Sequence, residues 1–187
     1  MNGKKIIHIK FLSIFLIAVL LMSVKVHAAT YTLQVNKFPQ EKSNWCWAAC
    51  ASMVGDYLGN YRTQSDICRH LYNEVIDHPA THEGVTKAIR FASQKSVLFS
   101  GVISFPAYVT NMKNKKPVVL RWQKENGGHL FVVSGVSEAY GGLTNRLYLI
   151  DPKRDVYSAY FGYEGLKNGM TLASGKGYYS ETWTIIS

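Results

Sequence analysis

Four polar residues spread along this 187-residue chain could together carry out covalent chemistry. The stretch QEKSNWCWAACASM begins at Gln40 and holds Cys46 six residues later. His129 and Asp151 follow in the segments GGHLFVVSGV and YLIDP. A thiol, an imidazole and a carboxylate are the groups that a nucleophile, its general base and the partner that orients the base require. The elements that carry these residues decide whether they can meet.

The cysteine is predicted to begin a helix, Cys46–Leu58, because apolar residues recur there at helical spacing. The start of a helix has free N–H groups and a partial positive charge, and both favour a thiolate. A neighbouring imidazolium would stabilise that thiolate further. The tryptophans Trp45, Trp47 and Trp122 are interpreted either as walls of a cleft or as ordinary core residues.

The chain has three cysteines, Cys46, Cys50 and Cys68. An odd number allows at most one disulfide within the chain. A bond between Cys50 and Cys68 would join two predicted helices and leave Cys46 free. A buried free thiol at Cys50 remains open as the alternative, because connectivity does not follow from sequence.

Histidine and aspartate are predicted to face each other in a β-hairpin. The strands His129–Val136 and Arg146–Ile150 flank a loop with two glycines near its middle. Folding the chain about Tyr140 places His129 directly opposite Asp151, with Cβ atoms roughly 5 Å apart. We expect Asp151 to accept the Nδ1 proton of the imidazole, which would select one tautomer and stabilise the imidazolium.

The glutamine can stabilise the negative charge that develops on a carbonyl oxygen during nucleophilic attack. A side-chain amide donates N–H bonds without titrating, so Gln40 and the backbone N–H of Cys46 are predicted to form a two-donor oxyanion hole. Loss of one such donor typically costs roughly 3 to 4 kcal/mol of transition-state stabilisation.

The elements that position these residues indicate an α+β domain. Helical patterns precede residue 95 and strand patterns follow it, which predicts an N-terminal helical half packed against a C-terminal antiparallel β-sheet. The other predicted helices are Thr63–Tyr72 and Gly84–Ser93, and the other predicted strands are Val97–Ile103, Pro117–Gln123 and Tyr178–Ile186.

At these residues the chain resembles the papain-like cysteine peptidase superfamily. That superfamily has a Gln, a Cys followed by Trp that begins a helix, a His that begins a strand, and an Asn or Asp. The matching segments here are Gln40, Cys46-Trp47, Gly127-Gly128-His129 and Asp151-Pro152, in the same order. The use of Asp in the third place and the form of the histidine strand are most similar to the compact bacterial members.

The resemblance implies a cleft between helix and sheet and hydrolysis of a protein or peptide substrate through a Cys46 thioester. Cys46, His129, Asp151 and Gln40 would then be the catalytic residues, and no cofactor would be required. The same triad also fits an acyl transferase or a cell-wall amidase, since an amine can replace water in resolving the thioester. A papain-like binding or toxin module without activity is the third interpretation.

The first 28 residues are typical of a secretory signal peptide. A basic segment with Lys4, Lys5 and Lys10 precedes an apolar run from Phe11 to Val24, and small residues lead to a cut after Ala28. We therefore expect a secreted protein whose domain comprises residues 29–187, without a stable membrane anchor after cleavage and without a partner subunit.

Two other classes of site are disfavoured by the sequence. The cluster Lys113, Lys115 and Lys116 is short and lacks interleaved aromatics, so it indicates a solvated face rather than a nucleic-acid site. His70, His78, His82 and Glu83 do not combine a His-x-x-x-His pair on one helix with a third ligand, so no metal site is predicted.

Overall fold

The computed structural model describes residues 29–139 and 142–186. The predicted signal peptide, residues 1–28, lies outside these described residues. No helix within them is long and apolar enough to cross a membrane.

Three helices form the first half of the described chain: α1 (Cys46–Tyr57), α2 (Gln64–Tyr72) and α3 (His82–Ser93). The second and third helices have side-chain caps. Thr63 accepts a hydrogen bond from the backbone N–H of Asp66, and Thr81 accepts one from Gly84. The helices begin and end within a few residues of the predicted bounds because these caps and the apolar periodicity are both local signals.

The strands form one antiparallel sheet with the order β2-β8-β3-β4-β5-β6, in which β1 also pairs with β4 and β7 with β8. The strand β8 is the last described strand in the chain, yet it lies between β2 and β3. The bounds are β1 Thr30–Thr32, β2 Val97–Ser100, β3 Val118–Gln123, β4 Gly128–Ser137, β5 Arg146–Ile150, β6 Ala159–Gly162, β7 Met170–Leu172 and β8 Gly175–Ile185.

Two helices lie within the half that was predicted to contain strands alone: α4 (Phe105–Lys113) and α5 (Tyr163–Asn168). The expectation of a single change from helices to strands near residue 95 is therefore wrong. The physical reason for α4 is visible in the sequence, since Pro106 sits in its first turn and its buried residues recur at helical spacing. Those buried residues are Phe105, Tyr108, Val109 and Met112.

The sheet has a hydrophobic core on each face. The helices α1, α2 and α3 cover one face, where Trp183, Leu130 and Val132 contribute from the sheet. The helices α4 and α5 contribute to the core on the other face, together with Phe131 and Val133. Neighbouring residues of β4 alternate between the two cores because successive side chains of a strand point to opposite faces. The predicted α+β class is confirmed, with the catalytic candidates where α1 meets the sheet.

Candidate active site

The cysteine lies at the start of α1, as predicted. Trp45 is the residue before the helix, and Cys46 is a free, partly exposed thiol. The indole N–H of Trp45 donates to the carbonyl of Ile76 at 2.7 Å, and that of Trp47 donates to the carbonyl of His78 at 3.0 Å. Both indoles are buried. The two tryptophans therefore fix the start of the helix on both sides of the thiol.

The histidine and aspartate form a buried ion pair. Nε2 of His129 lies 2.7 Å from Oδ1 of Asp151. This bond uses Nε2, so the expectation that Asp151 accepts the Nδ1 proton is corrected. Nδ1 is the nitrogen that remains, and Cys46 and His129 line one cavity of about 430 Å³.

The register of the hairpin also differs from the prediction. Val132 pairs with Ile150, and a shift between Val133 and Gly135 changes the register along β4. Continuing that pairing places Asp151 opposite Phe131 rather than His129. Since His129 and Phe131 point to the same face, the two catalytic candidates meet diagonally across the strands. The difference begins at the turn, since Ser137 pairs with Arg146, whereas folding the chain about Tyr140 would pair Ser137 with Leu143.

The surroundings of His129 favour its charged form. Burial alone lowers the pKa of this imidazole, but the hydrogen bond to Asp151, interaction with the Cys46 sulfur and the nearby negative charge together raise its pKa to about 9. Asp151 responds in the opposite direction. Burial raises its pKa, while the hydrogen bond and charge of His129 outweigh that effect and lower its pKa. The pair is therefore imidazolium and carboxylate at neutral pH.

Two lysines support Asp151, and sequence reasoning missed both. The backbone N–H of Lys153 donates to Oδ1 of Asp151 at 2.8 Å. Nζ of Lys37 donates to the carbonyls of Lys153, at 3.0 Å, and of Val156. The positive charge of Lys37 also lowers the pKa of Asp151. No sequence signal identifies Lys37, because 116 residues of the chain separate it from Lys153 in this loop.

Gln40 lies beside this loop, but its side-chain amide bonds to the turn before α1. Its backbone N–H donates to the carbonyl of Pro152 at 2.7 Å. Its side-chain Nε2 donates to the carbonyls of Lys42 at 2.9 Å and Ser43 at 2.8 Å, while Oε1 is buried without a hydrogen-bond partner. The two N–H groups are thus engaged with the turn that leads into α1. The oxyanion role of Gln40 stays a prediction and requires its amide to rotate.

A second glutamine holds the backbone on either side of Gln40. Gln64 is 3 % exposed in the first turn of α2. Its Nε2 donates to the carbonyl of Pro39 at 2.8 Å, and its Oε1 accepts from the N–H of Glu41 at 3.0 Å. We call Pro39–Glu41 the strap, because it joins α2 to the loop after Asp151. Gln64 has no apolar or motif signal that distinguishes it in the sequence.

The other two cysteines are buried free thiols, so the structure has no bond between Cys50 and Cys68. The sulfur of Cys68 donates to the carbonyls of Glu74 and Ile76 at 3.5 and 3.4 Å. Burial raises the pKa of Cys50 well above its usual value, and the charges of Cys46 and Asp151 add to this effect. Cys50 is therefore a protonated core residue one helical turn after Cys46 in α1.

The histidines that were considered as metal ligands point to different partners. His70 stacks on Phe91 with ring centroids 3.9 Å apart, and Nδ1 of His78 contacts the carbonyl of Pro79 at 2.7 Å. His82 contacts the carboxylate of Glu181 at 3.1 Å. Glu83 pairs instead with Lys87 at 2.8 Å. In residues 29–139 and 142–186, no three His, Cys, Asp or Glu side chains are placed to hold a metal ion.

The tryptophans divide between the two interpretations. Trp47 lines the cavity, whereas Trp45 and Trp122 are core residues. Trp183 also lines the cavity and was not predicted to do so. Its position follows from the pairing of β8 with β2 and β3, which the sequence does not reveal.

The fold, the cysteine at the helix start and the His–Asp pair define a papain-like cysteine peptidase. A family model described as papain-like cysteine protease AvrRpt2 matches residues 25–162. The match covers more than half of the chain, and the protein belongs to this family of cysteine peptidases. No curated protein matches the chain.

Solved peptidase structures are similar in fold at low sequence identity. A putative C39-like peptidase from Bacillus anthracis has a TM-score of 0.59 at 12 % identity, covering 85 % of this chain and 98 % of its own. The peptidase domain of Streptococcus ComA, a bifunctional ABC transporter involved in quorum sensing, has a TM-score of 0.54 at 16 % identity, covering 84 % and 99 %. A double-glycine-motif protease from an AMS/PCAT transporter, in complex with the leader peptide, has a TM-score of 0.54 at 15 % identity, covering 84 % and 95 %.

Proposed function

We propose that this cysteine peptidase hydrolyses peptide bonds with Cys46 as nucleophile, His129 as general base and acid, and Asp151 as the residue that orients the imidazole. The observation that carries the proposal is the 2.7 Å bond between Nε2 of His129 and Asp151. It leaves Nδ1 of the ring for the Cys46 thiol, which lines the same cavity.

In the first half of the reaction, the Cys46 thiolate attacks the carbonyl carbon of the scissile bond and forms a tetrahedral intermediate. The positive end of α1 and the imidazolium both place positive charge near this sulfur. His129 then donates its Nδ1 proton to the leaving amine, and the C–N bond breaks. The acyl group remains on the sulfur as a thioester, and the amine product leaves.

In the second half, neutral His129 takes a proton from water, and the resulting hydroxide attacks the thioester carbonyl. The C–S bond breaks, the carboxylic acid product leaves, and the thiolate and imidazolium are restored. Asp151 keeps the ring in one orientation through both halves and stabilises each imidazolium stage.

The developing oxyanion requires donors near the sulfur. The backbone N–H of Cys46 lies in the first turn of α1, where helix N–H groups have no partner within the helix. Gln40 is the second donor in this proposal, after its Nε2 leaves the carbonyls of Lys42 and Ser43. Rotation breaks these two hydrogen bonds, whereas the buried Oε1 has no hydrogen-bond partner among the described residues to lose.

The substrate in this proposal is a protein or peptide, and one structural neighbour was solved with a leader peptide. The signal-like residues 1–28 support secretion. We infer that the mature protein comprises residues 29–187, acts outside the cytoplasm as a monomer and keeps no membrane anchor.

Alkylation of Cys46 tests the proposal. Iodoacetamide reacts with the thiolate, so peptide mapping of the labelled protein at pH 7 should find Cys46 modified rapidly in the wild type and far more slowly in His129→Ala. The buried thiols Cys50 and Cys68 are internal controls that should stay unlabelled in the folded protein. Equal labelling of Cys46 in the two proteins would contradict the pairing of thiolate and imidazolium.

Cleavage of peptides completes the test. Cys46→Ala should abolish cleavage while the thermal unfolding midpoint remains close to that of the wild type. Formation of an amide with an added primary amine, in place of the free acid, would instead identify acyl transfer. A wild-type protein that labels at Cys46 and cleaves no peptide would support a binding module.

A further inference from the structure

The carboxylate of Asp151 lies in a loop with few hydrogen bonds to the rest of the protein. Residues 151–158 join β5 to β6, and we call them the Asp151 loop. Within the described chain, the backbone of residues 152–157 bonds to other segments only through the N–H of Gln40, which donates to Pro152, and through Nζ of Lys37. The position of the loop therefore depends on two residues that precede α1.

Lys37 binds the Asp151 loop at two points. Its Nζ donates to the carbonyl of Lys153 at 3.0 Å and also to the carbonyl of Val156. An ammonium group has three N–H donors, so one side chain can hold both carbonyls. Hydrogen bonds from a charged donor are stronger than those between neutral groups. Lys37 therefore holds the loop more firmly than the neutral N–H of Gln40 does.

The loop presents one oxygen of Asp151 to the catalytic histidine. Oδ1 lies 2.7 Å from Nε2 of His129, and the N–H of Lys153 donates to the same oxygen at 2.8 Å. Lys153 links the two sets of contacts, because its N–H binds the carboxylate and its carbonyl accepts from Lys37. A displacement of Lys153 would therefore carry Oδ1 away from the imidazole.

A cavity of about 70 Å³ adjoins the same loop. Asp151 and Val156 line it together with apolar side chains that include Phe131, Leu149 and Leu172. Protein interiors are otherwise close-packed, and a void leaves the groups around it without contacts on one side. The loop consequently has room to relax into this space, so packing alone does not fix the carboxylate.

We propose that Lys37 is a positioning residue of this peptidase, whose two hydrogen bonds keep the Asp151 loop out of the cavity and hold Oδ1 against Nε2 of His129. The inference rests on the proposed function, because Lys37 acts through the proposed triad. Lys37 is not among the residues that line the cleft of Cys46, so a substrate bound there should not touch it. Loss of Lys37 should therefore lower kcat and leave KM nearly unchanged.

The direction of a pH shift separates positioning from charge. The charged and titratable groups that face the His129–Asp151 pair are Cys46 and Cys50 from α1 and Lys37, and Tyr157 of the loop borders the cavity. Loss of a nearby cation alone would raise the pKa of His129, because the imidazolium would lose a like charge. Loss of the hydrogen bond to Asp151 would lower that pKa from about 9 toward 6.5.

Lys37→Met tests the proposal, since it keeps the length of the side chain and removes both the donor and the charge. We expect kcat to fall about tenfold or more, and the alkaline limb of kcat/KM to move down by about half a pH unit or more. Lys37→Arg keeps a charged donor and should restore both quantities. Arg154→Met is the matched control and should behave as the wild type, because Arg154 is exposed in the same loop and its replacement removes the same charge.

A double variant shows whether Lys37 acts through Asp151. Adding Lys37→Met to Asp151→Asn should leave the alkaline limb where Asp151→Asn places it, because the contact with the carboxylate is already lost. The proton on Nε2 of His129 gives a readout that needs no substrate. Its NMR signal should lie far downfield in the wild type at neutral pH, as expected for a proton in a charge-assisted hydrogen bond, and should disappear in Lys37→Met.

Lys37→Gln is a milder second variant for the case that Lys37→Met does not fold. It keeps a neutral donor, so the same losses should occur to a smaller extent. A folded variant of either kind that keeps the wild-type kcat and alkaline limb overturns the positioning role. An alkaline limb that moves upward overturns it as well, because that result assigns only a charge to Lys37.

The outcomes also separate this inference from the proposed function. If Lys37→Met resembles the wild type while His129→Ala still slows the labelling of Cys46, the role of Lys37 fails and the triad stands. If His129→Ala leaves the labelling of Cys46 unchanged, the triad fails, and the role of Lys37 fails with it. A further downward shift in the double variant would show that Lys37 acts independently of Asp151, which also contradicts the proposal.

Discussion

Replacing Asp151 by asparagine should shift the alkaline limit of activity. Asp151 bonds to Nε2 of His129 at 2.7 Å, and the pKa of His129 is raised to about 9 from 6.5. That difference corresponds to about 3 kcal/mol in favour of the imidazolium. In the proposed mechanism, protonated His129 donates to the leaving amine, so activity should be lost as the pH rises through this pKa. The wild-type profile should therefore fall near pH 9.

In Asp151→Asn the carboxylate charge is gone, while burial continues to disfavour the imidazolium. The alkaline limb of kcat/KM should move toward pH 6.5, by about one pH unit or more. The assay is the pH profile of kcat/KM with one peptide, together with the pH profile of iodoacetamide labelling at Cys46. Asp155→Asn is the control, because Asp155 is exposed in the same loop and its replacement removes the same charge.

The same substitution has a linked effect on stability. The folded pKa of His129 lies above its unfolded value, so its contribution is fully present below pH 6.5 and is lost as the pH rises through about 9. Urea unfolding of the wild type should show this loss, up to about 3 kcal/mol, and Asp151→Asn should show a flatter profile of stability against pH.

An alkaline limb of kcat/KM that stays near pH 9 in Asp151→Asn would refute the assigned role of the carboxylate.

Three further substitutions test other contacts. Gln64→Leu should lower the free energy of unfolding by about 1 to 3 kcal/mol, measured in urea, and should reduce kcat, because two backbone groups of the strap lose their partner. Gly55→Ala should lower the free energy of unfolding by about 1 to 3 kcal/mol, because a Cβ would lie 2.7 Å from the carbonyl oxygen of Ala92. Gly101→Ala is the control and should have little effect, because the nearest atom to its Cβ would be 3.9 Å away. Cys50→Ala should keep both cleavage and labelling of Cys46, because burial keeps the Cys50 thiol protonated. Loss of activity in a folded Cys50→Ala protein would contradict the assignment of a unique nucleophile.

Local patterns were sufficient to predict the helical half and the class of the fold. Thr63 begins the predicted segment and caps its helix through a contact within three residues, whereas Thr81 caps its helix three residues before the predicted start at Gly84. The helix α4 was missed although its apolar residues have helical spacing, since the short segment also reads as a loop between strands. The membership in the cysteine peptidases followed from four segments in the right order.

The remaining features depend on contacts between distant segments. The diagonal approach of His129 and Asp151 follows from the position of the turn, since Ser137 pairs with Arg146, and the continuously buried strand β4 has no apolar alternation that would reveal this register. The support from Lys37 and the orientation of the Gln40 amide depend on which carbonyls lie nearby in the folded chain. Sequence motifs identify the chemical groups, whereas tertiary contacts decide which atoms of these groups face each other.

The position of β8 has a consequence for the timing of activity during synthesis. This strand follows β7 in the chain but lies between β2 and β3, and β3 in turn borders the strand that carries His129. A nascent chain that has not yet extended through Gly175–Ile185 already contains the thiol, the imidazole and the carboxylate. Its sheet would still lack an interior strand, so we expect no proteolysis before β8 has joined the sheet.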